Sequence, residues 1–340
     1  MKDIINAVDQ WTEQGKAIAI ATVTETWGSS PRGVGAQMVV SVDGEMVGSV
    51  SGGCVEGAVV DTCMEVMRTG KSKYLHFGVA DETAWKIGLS CGGKINIFVR
   101  PLDMQIFNAL RTAWEQNRKF VIVTVIRDPE VSIAHEVLML DNGDTIGGNG
   151  YAFNDQTLAI AANTLNNGQS HLLTTNNGVA LFFNFVAPPP TLIIVGGVHI
   201  AITLVSFANE IGFKTIVVDP RKAFANQARF NHADRLHNNW PTEAFAQIKI
   251  NESTAIAVLT HDPKIDDPAL EIALSSPAYY IGALGSHKTQ DDRRQRLLNI
   301  GLNEEQVGRL HAPIGLDLGG RTPEQISLAI MAEIVQVRNK

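Results

Sequence analysis

The chain has 340 residues, 45% of them hydrophobic and 19% charged, which is the composition of a globular protein with room for two cores. A formal net charge of -7, with one short basic run at Arg293-Arg294-Gln295-Arg296, argues against nucleic acid as a partner and leaves that run as a solvated helix face. No apolar stretch approaches the ~18 residues of a membrane span, the acidic opening MKDIINAVDQW lacks a signal core, and three cysteines form no complete disulfide set. A cytoplasmic protein with thiol chemistry available is therefore expected.

The first strand is predicted over 17–23. A hairpin, AQMVVSVDGEMVGSV, follows, with Asp43-Gly44 suited to a type I′ turn. A helix over 54–69 and strands over 73–77 and 94–99 complete this part. About a hundred residues later the same grammar returns: a strand over 120–126, EVLMLDNGDTIGG with its turn near Asn142-Gly143, a helix over 155–166, and strands over 170–174 and 180–186. The endings INIFVRPLD and LFFNFVAPPP also correspond. We read residues 1–187 as an α+β domain built from two degenerate copies of one unit.

The first copy carries a thiol site that the second lacks. Cys54 follows Gly52-Gly53 and is expected to open the helix, and Cys91 precedes Gly92-Gly93. Paired glycines can gather N–H groups into an anion nest, and a helix start favours a thiolate. Glu56, on the first turn, is a candidate base or ligand anchor. The alternative reading stays open: cysteine is also a small apolar packing residue, and Gly-Gly also marks turns. Cys63, nine residues after Cys54, faces away and belongs to the core. Arg32, in the loop TWGSSPRGVG, is a candidate clamp for a phosphate or carboxylate, or an ordinary solvated loop arginine.

Pro188-Pro189-Pro190 marks the domain break. Beyond it, over 191–340, strands and helices alternate: strand 191–196, helix 199–211, strand 214–219, a strand near 234–237, helix 242–248, strand 254–260, helix 266–276, strand 278–282 and helix 287–299. This order predicts a doubly wound parallel sheet. Gly196-Gly197-Val198-His199 stands where a dinucleotide fingerprint belongs, and Asp219 lies 23 residues after Gly196, the place of a ribose-binding acid, with Arg221 beside it. Val198 replaces the glycine that lets backbone approach a pyrophosphate, which disfavours ordinary NAD(P) binding. Ligands of such sheets bind beyond the carboxyl ends of the strands. There the sequence sets His199, the group Thr260-His261-Asp262, and the loop Gly282-Ala283-Leu284-Gly285-Ser286 before a helix. Thr322-Pro323-Glu324-Gln325 is a capping box that launches a last helix over 326–337.

The motifs GSSPRGVGAQMVV, GSVSGGCVEGAVV, SCGG, LIIVGGVHIA, VVDPR, LTHDP, YYIGALGS and HAPIGLDLGGRTPEQISLAIMAEI together resemble the xanthine dehydrogenase accessory factors of the XdhC/CoxI family. The resemblance spans residues 28–334, with 101–187 least diagnostic, and departs from the family pattern at Val198. It implies a Rossmann-like C-terminal domain and a maturation chaperone rather than an enzyme. Such a protein holds the molybdopterin cofactor during sulfuration and delivers it to xanthine dehydrogenase or a related molybdenum hydroxylase, with a cysteine desulfurase as further partner; a homodimer is expected from the general prevalence of that assembly. Under this reading Cys54 or Cys91 touches molybdenum or relays sulfur, and the Gly-Gly loops, His199, His261, Arg221 and Gly285-Ser286 hold the cofactor. Three other readings stand beside it: an NAD(P)-dependent oxidoreductase using Asp219 or Arg221, a sulfurtransferase acting through a Cys54 persulfide, and a docking scaffold whose Rossmann-like domain is vestigial and binds no small ligand.

Overall fold

The computed structural model describes the whole chain apart from Ser29, Pro31, residues 79–92, residues 129–133, Asn149 and the His287 side chain. Cys91 and Gly92 lie outside the described residues. The chain divides into two compact units, Met1–Pro188 and Pro189–Lys340.

In the first unit α1 (Lys2–Glu13) precedes β1 (Ile18–Trp27), β2 (Gln37–Ser41), β3 (Met46–Gly48), α2 (Glu56–Thr69), β4 (Lys73–Phe77) and β5 (Lys94–Pro101). Then α3 (Met104–Glu115) precedes β6 (Phe120–Arg127), β7 (Glu136–Leu140), β8 (Thr145–Gly147), α4 (Asp155–Asn167), β9 (His171–Thr174) and β10 (Ala180–Val186). The two antiparallel sheets run β3-β2-β1-β5-β4 and β8-β7-β6-β10-β9. Element for element they are one topology used twice, as the recurring pattern predicts. Gly48 and Gly147 show the same equivalence in detail. Both have positive φ, and a Cβ on either would strike a carbonyl oxygen of the neighbouring strand, that of Gln37 or of Glu136.

The repeated unit also contains a leading helix that the sequence pattern did not announce, α1 in one copy and α3 in the other. Ile4, Val8 and Trp11 on α1 and Ile106, Phe107 and Leu110 on α3 share one core with Ile20 and Ile122 of the sheets. Asp103 caps α3, its carboxylate accepting from the Gln105 and Ile106 N–H groups. On the other faces, α2 packs Val59, Cys63 and Val66 against the first sheet, and α4 packs Ala161 and Leu165 against the second. The hairpins differ from the expected type I′ turn. In each copy a turn closes with Gly44 N–H donating to Ser41 O, or Gly143 N–H to Leu140 O, and only the glycine has positive φ, which makes a three-residue loop with a G1 bulge.

Between the copies lies a buried ion pair, Arg100 Nη2 to Glu136 Oε1 at 2.5 Å. Thr124 Oγ1 also donates to Glu136 at 2.7 Å, and Arg100 Nη1 donates to Thr22 at 3.2 Å. By register Arg100 corresponds to Asn184, and Glu136 to Gln37. The two copies have thus diverged into a charged pair on one diagonal and two amides on the other.

The second unit is a six-stranded parallel sheet of β11 (Thr191–Val195), β12 (Lys214–Val218), β13 (Arg235–His237), β14 (Thr254–Val258), β15 (Tyr280–Ala283) and β16 (Leu310–His311), in the order β13-β12-β11-β14-β15-β16. Its helices are α5 (His199–Glu210), α6 (Gln227–Phe230), α7 (Pro241–Phe245), α8 (Pro263–Leu274), α9 (His287–Asn299), α10 (Glu304–Gly308) and α11 (Pro323–Arg338). Both faces are covered, so the strands read as continuous apolar runs: Ile193 and Val195 face the α8 side, while Leu192 and Ile194 face α5 and α11. Helix α8 starts earlier than its apolar period suggests, because Asp262 caps it and Pro263 takes the first turn. The basic run on α9 is corrected as well: Arg293 is 1% exposed, while Arg294 and Arg296 pair with Glu304 and Asp267.

Candidate functional site

The order of strand addition reverses between β11 and β14, and the ends of β12, β11 and β14 are level because Val195 pairs with both Val218 and Val258. This register brings Gly196, Asp219 and Thr260 together at one edge, the place where such sheets bind ligands. Gly196 has φ +110°, and a Cβ there would lie 2.6 Å from the Thr260 methyl group; at Gly197 it would lie 2.7 Å from the Phe224 carbonyl oxygen. The two glycines permit this close convergence of loops.

Asp219 is fully buried. Its oxygens accept from Gly197 N–H at 2.8 Å, Arg221 N–H at 2.9 Å, Arg221 Nε at 2.9 Å and Arg221 Nη2 at 2.7 Å. Burial alone would raise its pKa, but the Arg221 and Gly197 hydrogen bonds outweigh it and hold the carboxyl below its ordinary value. The carboxylate thus fastens the glycine loop and Arg221, whose guanidinium also lies over the Phe224 ring at 4.1 Å. In a dinucleotide site this acid would receive a ribose; here its oxygens are already engaged.

His261 has φ +71° and, with Asn117, is one of two non-glycine residues of positive φ among the described residues. Such a conformation costs about 1–3 kcal/mol and persists only when its surroundings hold it. The support is a buried relay. Asp262 N–H donates to Thr260 Oγ1 at 3.0 Å, Thr260 Oγ1 donates to Asp266 Oδ1 at 2.5 Å, and Arg293 Nη2 donates to Asp266 Oδ2 at 3.0 Å. Arg293 further donates to the Leu284 carbonyl and the Gln290 side chain. The imidazole of His261 is exposed at the crevice, as is His199 on the first turn of α5. Sequence reasoning missed Asp266 and Arg293, since nothing in RRQR tells an enclosed arginine from solvated ones.

The polar groups near these histidines are unequally free. Asp262 is the α8 cap, accepting from Lys264 N–H, and Ser286 caps α9. Gly285, at φ +150°, makes the turn into α9, and Gly282 lies inside β15 against Ile314 and Tyr280. Helix α5 has no side-chain cap, and its N-terminal residue Val198 is extended. Ala201 N–H donates to Val198 O at 3.1 Å, which leaves the His199 and Ile200 N–H groups to a ligand or to water. At the far edge Glu333 accepts from Tyr280 OH at 2.5 Å and from Gly315 N–H at 2.7 Å and contacts His311 Nδ1 at 3.2 Å. These bonds tie the return loop to α11 and place His311 in the framework.

In the first unit the thiol loop follows a different plan from the expected one. Helix α2 begins at Glu56 with Val55 as its cap, so Cys54 precedes the helix instead of opening it. The Gly-Gly nest exists, and its occupant is Glu56. The carboxylate accepts from Ser49 Oγ at 2.8 Å, Ser51 N–H at 2.9 Å, Ser51 Oγ at 2.5 Å, Gly52 N–H at 3.0 Å and Gly53 N–H at 2.8 Å. Burial acts to raise the Glu56 pKa, yet the hydrogen bonds from Ser51 and Ser49 bring it down to about 2. A strongly anionic, fully solicited carboxylate is an anchor for the loop and a poor base. It presents Cys54, which is half-buried with its N–H on Ser51 Oγ at 3.1 Å. Cys63 is buried, and burial pushes its thiol up to about 12. Gly93 is buried just before β5, and Arg32 is exposed. Among the described residues no cluster of three or more His, Cys, Asp or Glu could hold a metal ion, and no helix is long and apolar enough to cross a membrane.

Two family models match the chain: the XdhC Rossmann domain over residues 192–334, and the XdhC and CoxI family over residues 11–78. A Bacillus subtilis protein, named for a probable role as one of the subunits of xanthine dehydrogenase, is 26% identical over 98% of this chain and 97% of its own length. The Escherichia coli molybdenum cofactor insertion chaperone PaoD is 28% identical over 95% of this chain and 84% of its own length. A crystal structure from Bacillus halodurans, described as a xanthine dehydrogenase, superposes with a TM-score of 0.80 at 24% identity, covering 98% of this chain and 95% of that one, and shares the fold.

Proposed function

Because the chain belongs to the XdhC and CoxI family, we propose that it is an accessory protein in the maturation of a molybdenum hydroxylase, one that binds the molybdopterin cofactor, shelters it during sulfuration and passes it to xanthine dehydrogenase or a related enzyme. The relative named as a molybdenum cofactor insertion chaperone supports the accessory role. The observation that carries ligand binding is the occurrence, at the switch point of the sheet, of the strained, exposed His261 after β14 and of an α5 N-terminus without a side-chain cap after β11.

The residues present fit an anionic, phosphate-bearing pterin. The open N–H groups of α5 would take a phosphate, with the helix dipole in favour. His199 and His261 would hydrogen-bond the cofactor's polar edge, and Arg221, fixed by Asp219, would stand as a cation beside it. The same engagement of Asp219 weighs against a dehydrogenase, because the acid that would select a ribose is satisfied internally. When bound, the cofactor supplies the molybdenum–pterin redox centre of the recipient enzyme. The protein's part is to hold it and exclude water. Cys54, held at the loop surface by the Glu56 anchor, is our candidate contact for molybdenum or sulfur, with a cysteine desulfurase as sulfur source. We place the protein in the cytoplasm as a homodimer.

The test is anaerobic incubation of the purified protein with molybdopterin cofactor, followed by desalting and analysis of molybdenum and pterin per chain. Stoichiometric retention that is lost in His261→Ala and indifferent to excess NAD supports the reading. Absence of retention together with saturable nicotinamide binding overturns it. Cys54→Ser separates the sulfurtransferase alternative, which predicts retained cofactor and lost sulfur transfer.

A further inference from the structure

The two copies in the first unit set opposite charges at one and the same fold position. Strand β1 skips Thr24 between its pairs Val23–Ile97 and Glu25–Asn96, and β6 skips Ile126 between Val125–Leu181 and Arg127–Ala180. A bulge of this kind re-aims the side chain beside it. The residues that follow the two bulges are Glu25 and Arg127, and both line a cavity of about 610 Å³ between the two sheets. That volume lies within the range of small-molecule sites. Among the described residues Glu25 and Arg127 form no ion pair with each other.

The charged groups on this wall are unequally engaged. Glu25 Oε2 accepts from Asn96 Nδ2 at 2.9 Å and from Tyr74 OH at 3.2 Å, and Asn96 is only 8% exposed. Both bonds fall on one oxygen, which leaves Oε1 as an open acceptor on a side chain already held in place. Asp128, the second acid, accepts from Tyr151 OH at 2.9 Å and is committed there. The Arg127 guanidinium is exposed and has no hydrogen-bond or ion-pair partner among the described residues. Ser72, also on the wall, adds a further open group. Its hydroxyl oxygen is buried without a partner among the described residues, whereas Ser170, its counterpart by register, accepts from Phe185 N–H at 3.0 Å. Phe98, Val125 and Leu172 give the same cavity apolar surface.

We propose that this cavity binds a small zwitterion, an α-amino acid with an apolar side chain. The ammonium group donates to the open oxygen of Glu25, the carboxylate accepts from the Arg127 guanidinium, and the side chain lies on the apolar wall. A lone cation or a lone anion satisfies one of the two charges, and an uncharged ligand satisfies neither. The site belongs to the first unit and is independent of the cofactor reading.

The experiment is calorimetric titration of the full chain with L-phenylalanine, L-leucine and L-methionine. Two half-ligands accompany them: 2-phenylethylamine, which lacks the carboxylate, and 3-phenylpropionate, which lacks the ammonium group. Saturable binding of at least one amino acid, with both half-ligands weaker than L-phenylalanine or not bound, supports the site. Glu25→Gln and Arg127→Gln should each weaken that amino acid at least about tenfold, as expected when a charge-assisted hydrogen bond is lost. Failure of all three amino acids to bind, a half-ligand binding as tightly as L-phenylalanine, or unchanged affinity in both variants overturns the proposal. Circular dichroism establishes that each variant is folded, and the half-ligand comparison on the unaltered chain holds whether or not the variants fold.

Discussion

Glu56→Gln tests the anchor beneath the thiol loop. The carboxylate receives five donors from Ser49, Ser51, Gly52 and Gly53. A glutamine keeps the shape but has a single acceptor oxygen and turns an NH2 group toward N–H donors. The fall of the Glu56 pKa from 4.5 to about 2 corresponds to about 3 kcal/mol in favour of the charged form. That value is the expected loss of stability in Glu56→Gln at pH 7, and it implies exchange of the Ser51, Gly52 and Gly53 amides faster by about a hundredfold or more. The folded pKa lies below the unfolded one, so the contribution is fully present above 4.5 and is lost as pH falls toward 2. Urea unfolding and amide exchange of both proteins at pH 7 and pH 3 measure it. The wild-type advantage should shrink at the lower pH. A variant within about 0.5 kcal/mol of wild type at pH 7, with unchanged amide exchange, would refute the reasoning.

Three further outcomes follow from the same geometry. Arg293→Met leaves Asp266 buried without its partner at 3.0 Å; a loss of about 3–5 kcal/mol in denaturant unfolding is expected, and with it weaker cofactor retention as His261 loses its support. Gly197→Ala sets a Cβ 2.7 Å from the Phe224 carbonyl and should lower the melting temperature of the second unit, because backbone has to move; an unchanged transition would contradict the close approach. Cys63, with its thiol pushed up to about 12, should resist iodoacetamide at pH 8, where about one thiol in ten thousand would be ionised, while Cys54 is labelled; peptide mass mapping before and after unfolding reads both.

Local signals carried much of the architecture. Alternating apolar runs and helical periods announced a parallel α/β sheet at 191–340, and two turn-bounded hairpins with matching endings announced a repeat, because side-chain periodicity is set residue by residue. Caps such as Thr322 and Gln325 are likewise local and were legible. The partners of charged groups were not. Whether Arg293 faces water or Asp266 depends on a helix meeting another 27 residues away. The occupant of the Gly52-Gly53 nest was four residues from Gly52 in sequence, yet only the folded loop turns the Glu56 carboxylate back onto it. Asp219 stood in the position of a ribose ligand, and only the folded loop shows its oxygens engaged by Gly197 and Arg221. The cavity at Glu25 had no motif at all, since its wall is assembled from β1, β4 and β5 against a second copy of the same unit. Periodicity is a property of neighbours along the chain; the fate of a charge or a hydroxyl is a property of neighbours in space, and those exist only once the sheets have packed.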